Sequence, residues 1–353
     1  MPKIMLIAEA FGAREELFQH ALVGASGAEL ARMLANANLA PELPHKYPSE
    51  LEMIAYWKML RSDYNIGTGN VFTARPPDNK IELFFTNAKE GLLDLPPLKR
   101  GKYLRPELLF HVEALWQQLR DAQPNLIIAL GNVACWAILG ETKISELRGT
   151  VKNSPRLGFK TLPTYHPAAV LRQWPLRTIV VSDLEKAKLE AESSGINRIK
   201  RWVTVEPTLL EIAQWLNRPA EFYAVDIENP YGQISMIGFA RTHDDAIVIP
   251  FIDETKPDWN YWPCAEDEIK AWRLADRALS KPVPKLFQNG IYDLTHLLRA
   301  GFRPKMCQDD TMLLHHSLYP EMLKGLGFLG SIYSQELAWK QMARKGNNLK
   351  RDN

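Results

Sequence analysis

A chain of 353 residues has room for two domains of roughly 150 residues each, and its 46% hydrophobic content is enough to fill real cores. No apolar run approaches a membrane span or a signal peptide, so a soluble, cytoplasmic protein without a membrane partner is expected. The net charge of +2 excludes a strong overall field toward polyanions, leaving only local basic clusters, Lys99-Arg100-Gly-Lys102, residues 198–201 and Lys350-Arg351.

Residues 3–8 form a short, nearly continuous apolar run, which predicts a central parallel strand. It leads into the loop Ala8-Glu-Ala-Phe-Gly12, with a carboxylate at the strand's carboxyl end. Leu22-Val-Gly-Ala-Ser-Gly27 follows, its glycines allowing close backbone approach to a ligand, and Ser26 leads into a helix over 28–36. Residues 70–79 read as a strand running into a proline-stiffened loop. A helix over 106–119, a strand over 126–130 and a strand–glycine–helix turn at 131–140 come next. A strand over 157–162 is stopped by Pro163, and Pro167 opens a helix that reaches Arg172. His166 thereby sits at a strand-to-helix corner, either as a turn-capping surface histidine or in the crevice where α/β sheets bind ligands. This alternation of strand and helix predicts a three-layer α/β domain with a parallel sheet.

Residues 190–197 are polar and read as a linker. Thr208 caps a helix running to residue 216. Residues 222–228 are β-rich and place Asp226 and Glu228 on one face of a strand. Residues 233–240 and 245–251 continue as a meander. Two carboxylates on one face are either solvated at a sheet edge or gathered around a cation such as Mg²⁺. Residues 285–293 then read as a strand entering a helix that holds Asn289 and Asp293 one turn apart. Asp309-Asp-Thr-Met opens another helix with an acidic start. Three widely spaced cysteines, Cys135, Cys264 and Cys307, form no C-x-x-C pair. They are expected to be small core residues in a reducing compartment, with no zinc site or disulfide framework.

Residues 1–195 resemble the uracil-DNA glycosylase superfamily, most closely the branch that carries an iron–sulfur cluster in thermophiles. The resemblance rests on Ala8-Glu-Ala-Phe-Gly12, Leu22-Val-Gly-Ala-Ser-Gly27, the stretch from Asn70 to Asn79, Ala129-Leu-Gly131, Leu147-Arg-Gly149 and Thr164-Tyr-His-Pro-Ala168, in family order. It implies that His166 stabilises the anionic uracil leaving group, that Glu9 helps place the attacking water, and that the Asn70 amide faces the base edge. Phe11, Gly12, Leu22, Gly24, Arg75, Asn79 and Arg172 are the implied substrate contacts, with DNA bound and its nucleotide flipped. Leu22 replaces the family's stacking phenylalanine, and Phe11 is a possible substitute. Ala74 occupies a cluster-cysteine position, so no iron–sulfur cluster is expected.

In a second domain expected over residues 203–353, after a linker at 196–202, about residues 203–345 resemble the RNase H-like (DnaQ-type) 3′–5′ exonuclease domain fused in family A DNA polymerases. The resemblance implies Asp226, Glu228 and Asp293 as ligands of Mg²⁺ or Mn²⁺, with Asn289 beside them. Asp310-Thr-Met-Leu-Leu and Lys324-Gly-Leu-Gly-Phe-Leu are similar to the helix and loop that follow. The last motif, Tyr-x-x-x-Asp, is not found after Tyr333, which leaves the domain incomplete. The joint order resembles the front end of certain bacteriophage DNA polymerases. It implies either a glycosylase joined to a nuclease, or a weakly active docking subunit with a separate polymerase as partner.

Overall fold

The computed structural model describes residues 3–87, 95–98, 101–196, 200–230 and 232–334. Lys99, Arg100, Arg198, Ile199, Lys350 and Arg351 of the basic clusters lie outside the described residues, as does the stretch after Ser334. The chain divides into two compact units, one of Met1–Arg198 with Gly327–Asn353 and one of Ile199–Leu326. The sequence reading carries the second domain to residue 353; among the described residues, the contacts group residues 327–334 with the first unit.

The first unit begins with β1 (Ile4–Ala10), α1 (Ala13–Phe18), α2 (Ala25–Asn36), α3 (Glu50–Asp63) and β2 (Ile66–Phe72). A two-residue ladder joins β3 (Phe85–Thr86) to β4 (Tyr103–Leu104). Then come α4 (Leu109–Ala122), β5 (Leu126–Leu130), α5 (Gly131–Leu139) and α6 (Ile144–Leu147). The short β6 (Lys152–Asn153), β7 (Lys160–Thr164), α7 (Pro167–Arg172) and α8 (Leu176–Glu190) complete the run. The sheet has the order β2-β1-β5-β7-β6, parallel except for β6.

The two faces of β1 explain its unbroken apolar run. Ile4, Leu6 and Ala8 pack into one core with α2, α3 and α8, while Met5 and Ile7 pack into a second core with α4 and α5. A strand sandwiched between helices needs apolar side chains on both sides. Several boundaries differ from the sequence expectation: α2 starts at Ala25 rather than 28, α4 runs from Leu109 to Ala122 rather than over 106–119, and β7 starts at Lys160 rather than 157. β1 runs on through Glu9 and Ala10, and β7 runs through Pro163 to Thr164. Proline is tolerated there because β6 pairs only with Lys160 and Thr161, so at Pro163 one side of β7 has no ladder to break.

The second unit contains β8 (Trp202–Thr204), α9 (Leu209–Asn217), β9 (Tyr223–Glu228), β10 (Met236–Ala240) and β11 (Asp245–Pro250). It continues with α10 (Ala265–Ser280), β12 (Lys285–Phe287), α11 (Gly290–Arg299), β13 (Cys307–Asp310) and α12 (Thr311–Leu318). Its sheet order is β13-β12-β9-β10-β11-β8, an antiparallel meander flanked by parallel strands. One face carries the core: Val225, Ile227, Ile237, Phe239, Ile247 and Ile249 against α9 and α10. Thr208 caps α9, as the sequence predicts, and Glu211 completes a capping box with it. Of the cysteines, Cys135 is buried, but Cys264 and Cys307 are exposed, at the cap of α10 and on the edge strand β13. Finally α13 (Leu326–Tyr333) leads back to the first unit. No helix among the described residues is long and apolar enough to cross a membrane.

Candidate active site

Register brings the first-unit motifs to one edge of one sheet. Ala8 lies opposite Asn70, and Leu130 opposite Thr164. Glu9, Asn70, Gly131 and His166 therefore all fall at the carboxyl ends of neighbouring parallel strands. The chain leaves β1 for β2 on one side and later for β5 on the other. That reversal opens the crevice in which such sheets bind ligands.

Asn70 lies inside β2 and is 5% exposed. Its Oδ1 is buried with no hydrogen-bond partner among the described residues. An orphaned buried acceptor costs about 1–3 kcal/mol, a penalty that a ligand donor would remove. His166 is the N-cap of α7, and its Nδ1 accepts the backbone N–H of Ala168 at 3.1 Å. The ring proton of the neutral imidazole then resides on Nε2, the nitrogen able to donate. Burial, helped by the charge of Arg172, pushes the His166 pKa down to about 4. Gly131 has φ +85°, and a Cβ there would lie 3.0 Å from His166 Cβ, so glycine is what lets the two corners meet.

The preceding loops are stitched by a residue the sequence reading passes over. Glu15 accepts the backbone N–H of Gly12 at 2.5 Å and is held by a backbone hydrogen bond of Leu22 as well, joining the two motif loops. Burial raises its pKa, and these bonds partly offset the rise. Leu22 adopts a left-handed conformation (φ 61°), its carbonyl accepts from Trp57 Nε1 at 2.8 Å, and its side chain is buried. A Cβ on Gly27 would collide with that carbonyl oxygen at 1.6 Å. Phe11 packs in the same core, and its N–H donates to the Phe72 carbonyl. Gly24 caps α2 through its carbonyl rather than Ser26 through its hydroxyl. Arg75 Nε donates to Asn79 Oδ1 at 2.7 Å beyond the end of β2, and Arg172 is exposed at the end of α7.

In the second unit, Asp226 and Glu228 both project from the exposed face of β9. Asp293 is buried on α11, and its Oδ1 accepts the N–H of Ile227, between the two acids. Burial, then the neighbouring Asp226 charge, pushes the Asp293 pKa up to about 6. Asn289 does not share a helix face with Asp293; it precedes α11 in a left-handed conformation, φ 61°. The N–H groups of Asn289 and Gly290 donate to Asp310, which also caps α12. Asn229 Nδ2 and His296 Nδ1 approach to 2.7 Å nearby. Among the described residues no three His, Cys, Asp or Glu side chains group as a metal cradle. Asp226, Glu228 and Asp293 thus do not fit a complete Mg²⁺ or Mn²⁺ site, although two of them share one local field.

A model of the Uracil DNA glycosylase superfamily matches residues 1–187, more than half of the chain. The chain belongs to the uracil DNA glycosylase superfamily. It is 30% identical over 194 residues to a Type-4 uracil-DNA glycosylase of Archaeoglobus fulgidus, covering 52% of this chain and 74% of that protein. To the Type-4 uracil-DNA glycosylase of Saccharolobus solfataricus it is 27% identical over 199 residues, covering 54% and 72%. Both alignments are shorter than the first unit and the second together. In the glycosylase-family unit, the candidate site lies at the carboxyl ends of strands whose sheet is buried on both faces. Its residues do not fit an iron–sulfur cluster. The chain has three cysteines, of which only Cys135 belongs to this unit, buried in α5.

Proposed function

We propose that the first unit hydrolyses the N-glycosidic bond of deoxyuridine in DNA. The observation that carries this reading is the orphaned Asn70 amide oxygen at the edge that also holds Glu9 and His166. A uracil base offers what that oxygen lacks: its N3–H donates to Oδ1, while the amide N–H₂ can donate to O4. As the C1′–N1 bond breaks, its electron pair passes into the uracil ring and charge develops on O2. The Nε2–H of neutral His166 donates to that oxygen. The Glu9 carboxylate supports the cationic sugar and orients the water that adds to C1′. Phe11, Gly12, Leu22 and Gly24 would shape the base pocket, and Arg75, Asn79 and Arg172 would contact the strand. The base must leave the stack to reach this edge. Incubating the protein with single-stranded uracil-containing DNA, then alkali, should give strand breaks at uracil. Those breaks should fall by at least about 10²-fold in His166→Asn. Breaks that persist unchanged in that variant refute the assignment.

A second reading, for the second unit, is favoured by the raised Asp293 and by the strand order of its sheet. A meander joined through its first strand to two parallel strands supports a DnaQ-like 3′–5′ exonuclease scaffold, with Asp226, Glu228, Asp293 and Asn289 at a DNA 3′ end. Shortening of 5′-labelled DNA on adding Mg²⁺ or Mn²⁺, abolished in Asp226→Ala, supports nuclease activity. Its absence favours the alternative of a docking subunit, for which co-purification with a separate family A polymerase of the phage or host is the test.

A further inference from the structure

Behind the His166 corner lies a buried polar network that the proposed chemistry leaves unexplained. Arg148 is 4% exposed and Asp183 fully buried. Arg148 Nε donates to Asp183 Oδ2 at 3.1 Å, and Nη2 donates to Oδ1. Thr164, the last residue of β7, donates its hydroxyl to the same carboxylate at 2.6 Å. Thr164 is two residues from His166. The Arg148 loop is itself fastened to β7, since the Gly149 N–H donates to the Pro163 carbonyl at 2.9 Å.

Further acceptors come from α13, more than 140 residues further along. Arg148 Nη1 donates to Ser331 Oγ at 2.6 Å, and Lys186 Nζ donates to the Ser331 carbonyl at 2.8 Å and to the Gly149 carbonyl at 2.7 Å. Ser182 Oγ donates to the Ile332 carbonyl, and the Arg148 guanidinium lies 5.7 Å from the Phe328 ring centre. Gly149 has φ +72°, and a Cβ there would lie 2.8 Å from Asp183 Oδ1 and 3.0 Å from the Ser331 carbonyl oxygen. The loop is therefore built to let α13 approach. Buried cations with missing acceptors are strongly destabilised, so the network has one favoured arrangement only while α13 supplies them.

We infer that α13 is a clasp on the glycosylase-family site and that Ser331 is a positioning residue for His166, acting through Arg148, Asp183 and Thr164. The inference rests on the glycosylase reading for its kinetic consequence but not for its structural one. The experiment uses the full chain with Ser331→Ala, a substitution that suits a helix, and follows two quantities. Single-turnover excision of uracil should slow about tenfold with the KM for the oligonucleotide unchanged. The ring-nitrogen NMR signals of His166, assigned by their loss in His166→Asn, should move. Ser331→Thr, which keeps the hydroxyl, should restore both, and Lys186→Met should move the His166 signals in a second, independent way. His166 signals that stay in place in folded Ser331→Ala and Lys186→Met overturn the inference, whatever the rate does. A wild-type chain that excises no uracil overturns the glycosylase reading instead, and the ring signals still decide the clasp.

Discussion

At the scale of single residues, two titrating groups give opposite pH signatures. His166 has a folded-state pKa near 4 against about 6.5 when unfolded. Between those values the unfolded chain binds the extra proton, so this contribution to stability is complete above about 6.5 and is lost as pH falls through 4. The neutral donor form persists over the same range. The excision rate should show no histidine inflection near pH 6.5 and should fall only toward pH 4; a midpoint near 6.5 in the pH–rate profile is the contrary outcome. Asp293 behaves in reverse. Its folded value, about 6, lies above the unfolded value of about 4, so the stability it lends is complete below 4 and is lost as pH rises through 6. Asp293→Asn keeps an oxygen for the Ile227 N–H and removes the repulsion from Asp226. The variant should be more stable than wild type by on the order of 1–3 kcal/mol at pH 8, by about half as much at pH 5, and equal to it only below pH 4, by thermal melting.

At the scale of elements, the site depends on corners where backbone approaches backbone. Gly131 opens α5 at φ +85° against the His166 corner. Alanine there adds about 1–2 kcal/mol of left-handed strain and displaces His166. Gly131→Ala should therefore remain folded, melt at a lower temperature and, on the proposed chemistry, lose roughly 10²-fold in excision rate, since small misplacements of a reacting group are that costly. A lowered melting point with an unchanged rate would show that the corner tolerates the shift. Elements like these were legible to different degrees. β1 and β5 could be read from their apolar runs because both faces are buried. His166 and Pro167 marked α7 through proline's preference for a first turn. The sequence reading missed α3, although Ser49 and Glu52 form a capping box at its start. Glu15 went unread because its partner at the cap, Gly12, has no side chain to complete the Ser/Thr-x-x-Glu pattern. The Arg148–Asp183–Ser331 network had no local signal at all, since its members meet only when the fold closes.

At the scale of the whole molecule, the order of units along the chain differs from a simple tandem. The chain enters the second unit at Ile199, leaves it at Leu326 and returns to the first. In chain order the second unit is thus an insertion within the glycosylase-family unit. A cut at one connection alone should not release it. Introducing a protease site between residues 197 and 199 and cleaving it in the folded protein would give two fragments on a denaturing gel. Under native conditions the two should co-elute from size exclusion, because Arg148 and Lys186 hold α13 by buried hydrogen bonds. Those bonds are shielded from solvent, so co-elution should survive 1 M salt, where the Debye length is about 3 Å and exposed charge pairs are screened. Ser331→Ala should loosen the nicked complex relative to wild type. Separation of the wild-type fragments at low salt would mean that α13 docks too weakly to anchor the insertion, and the two units would then be tandem in practice as well as in sequence.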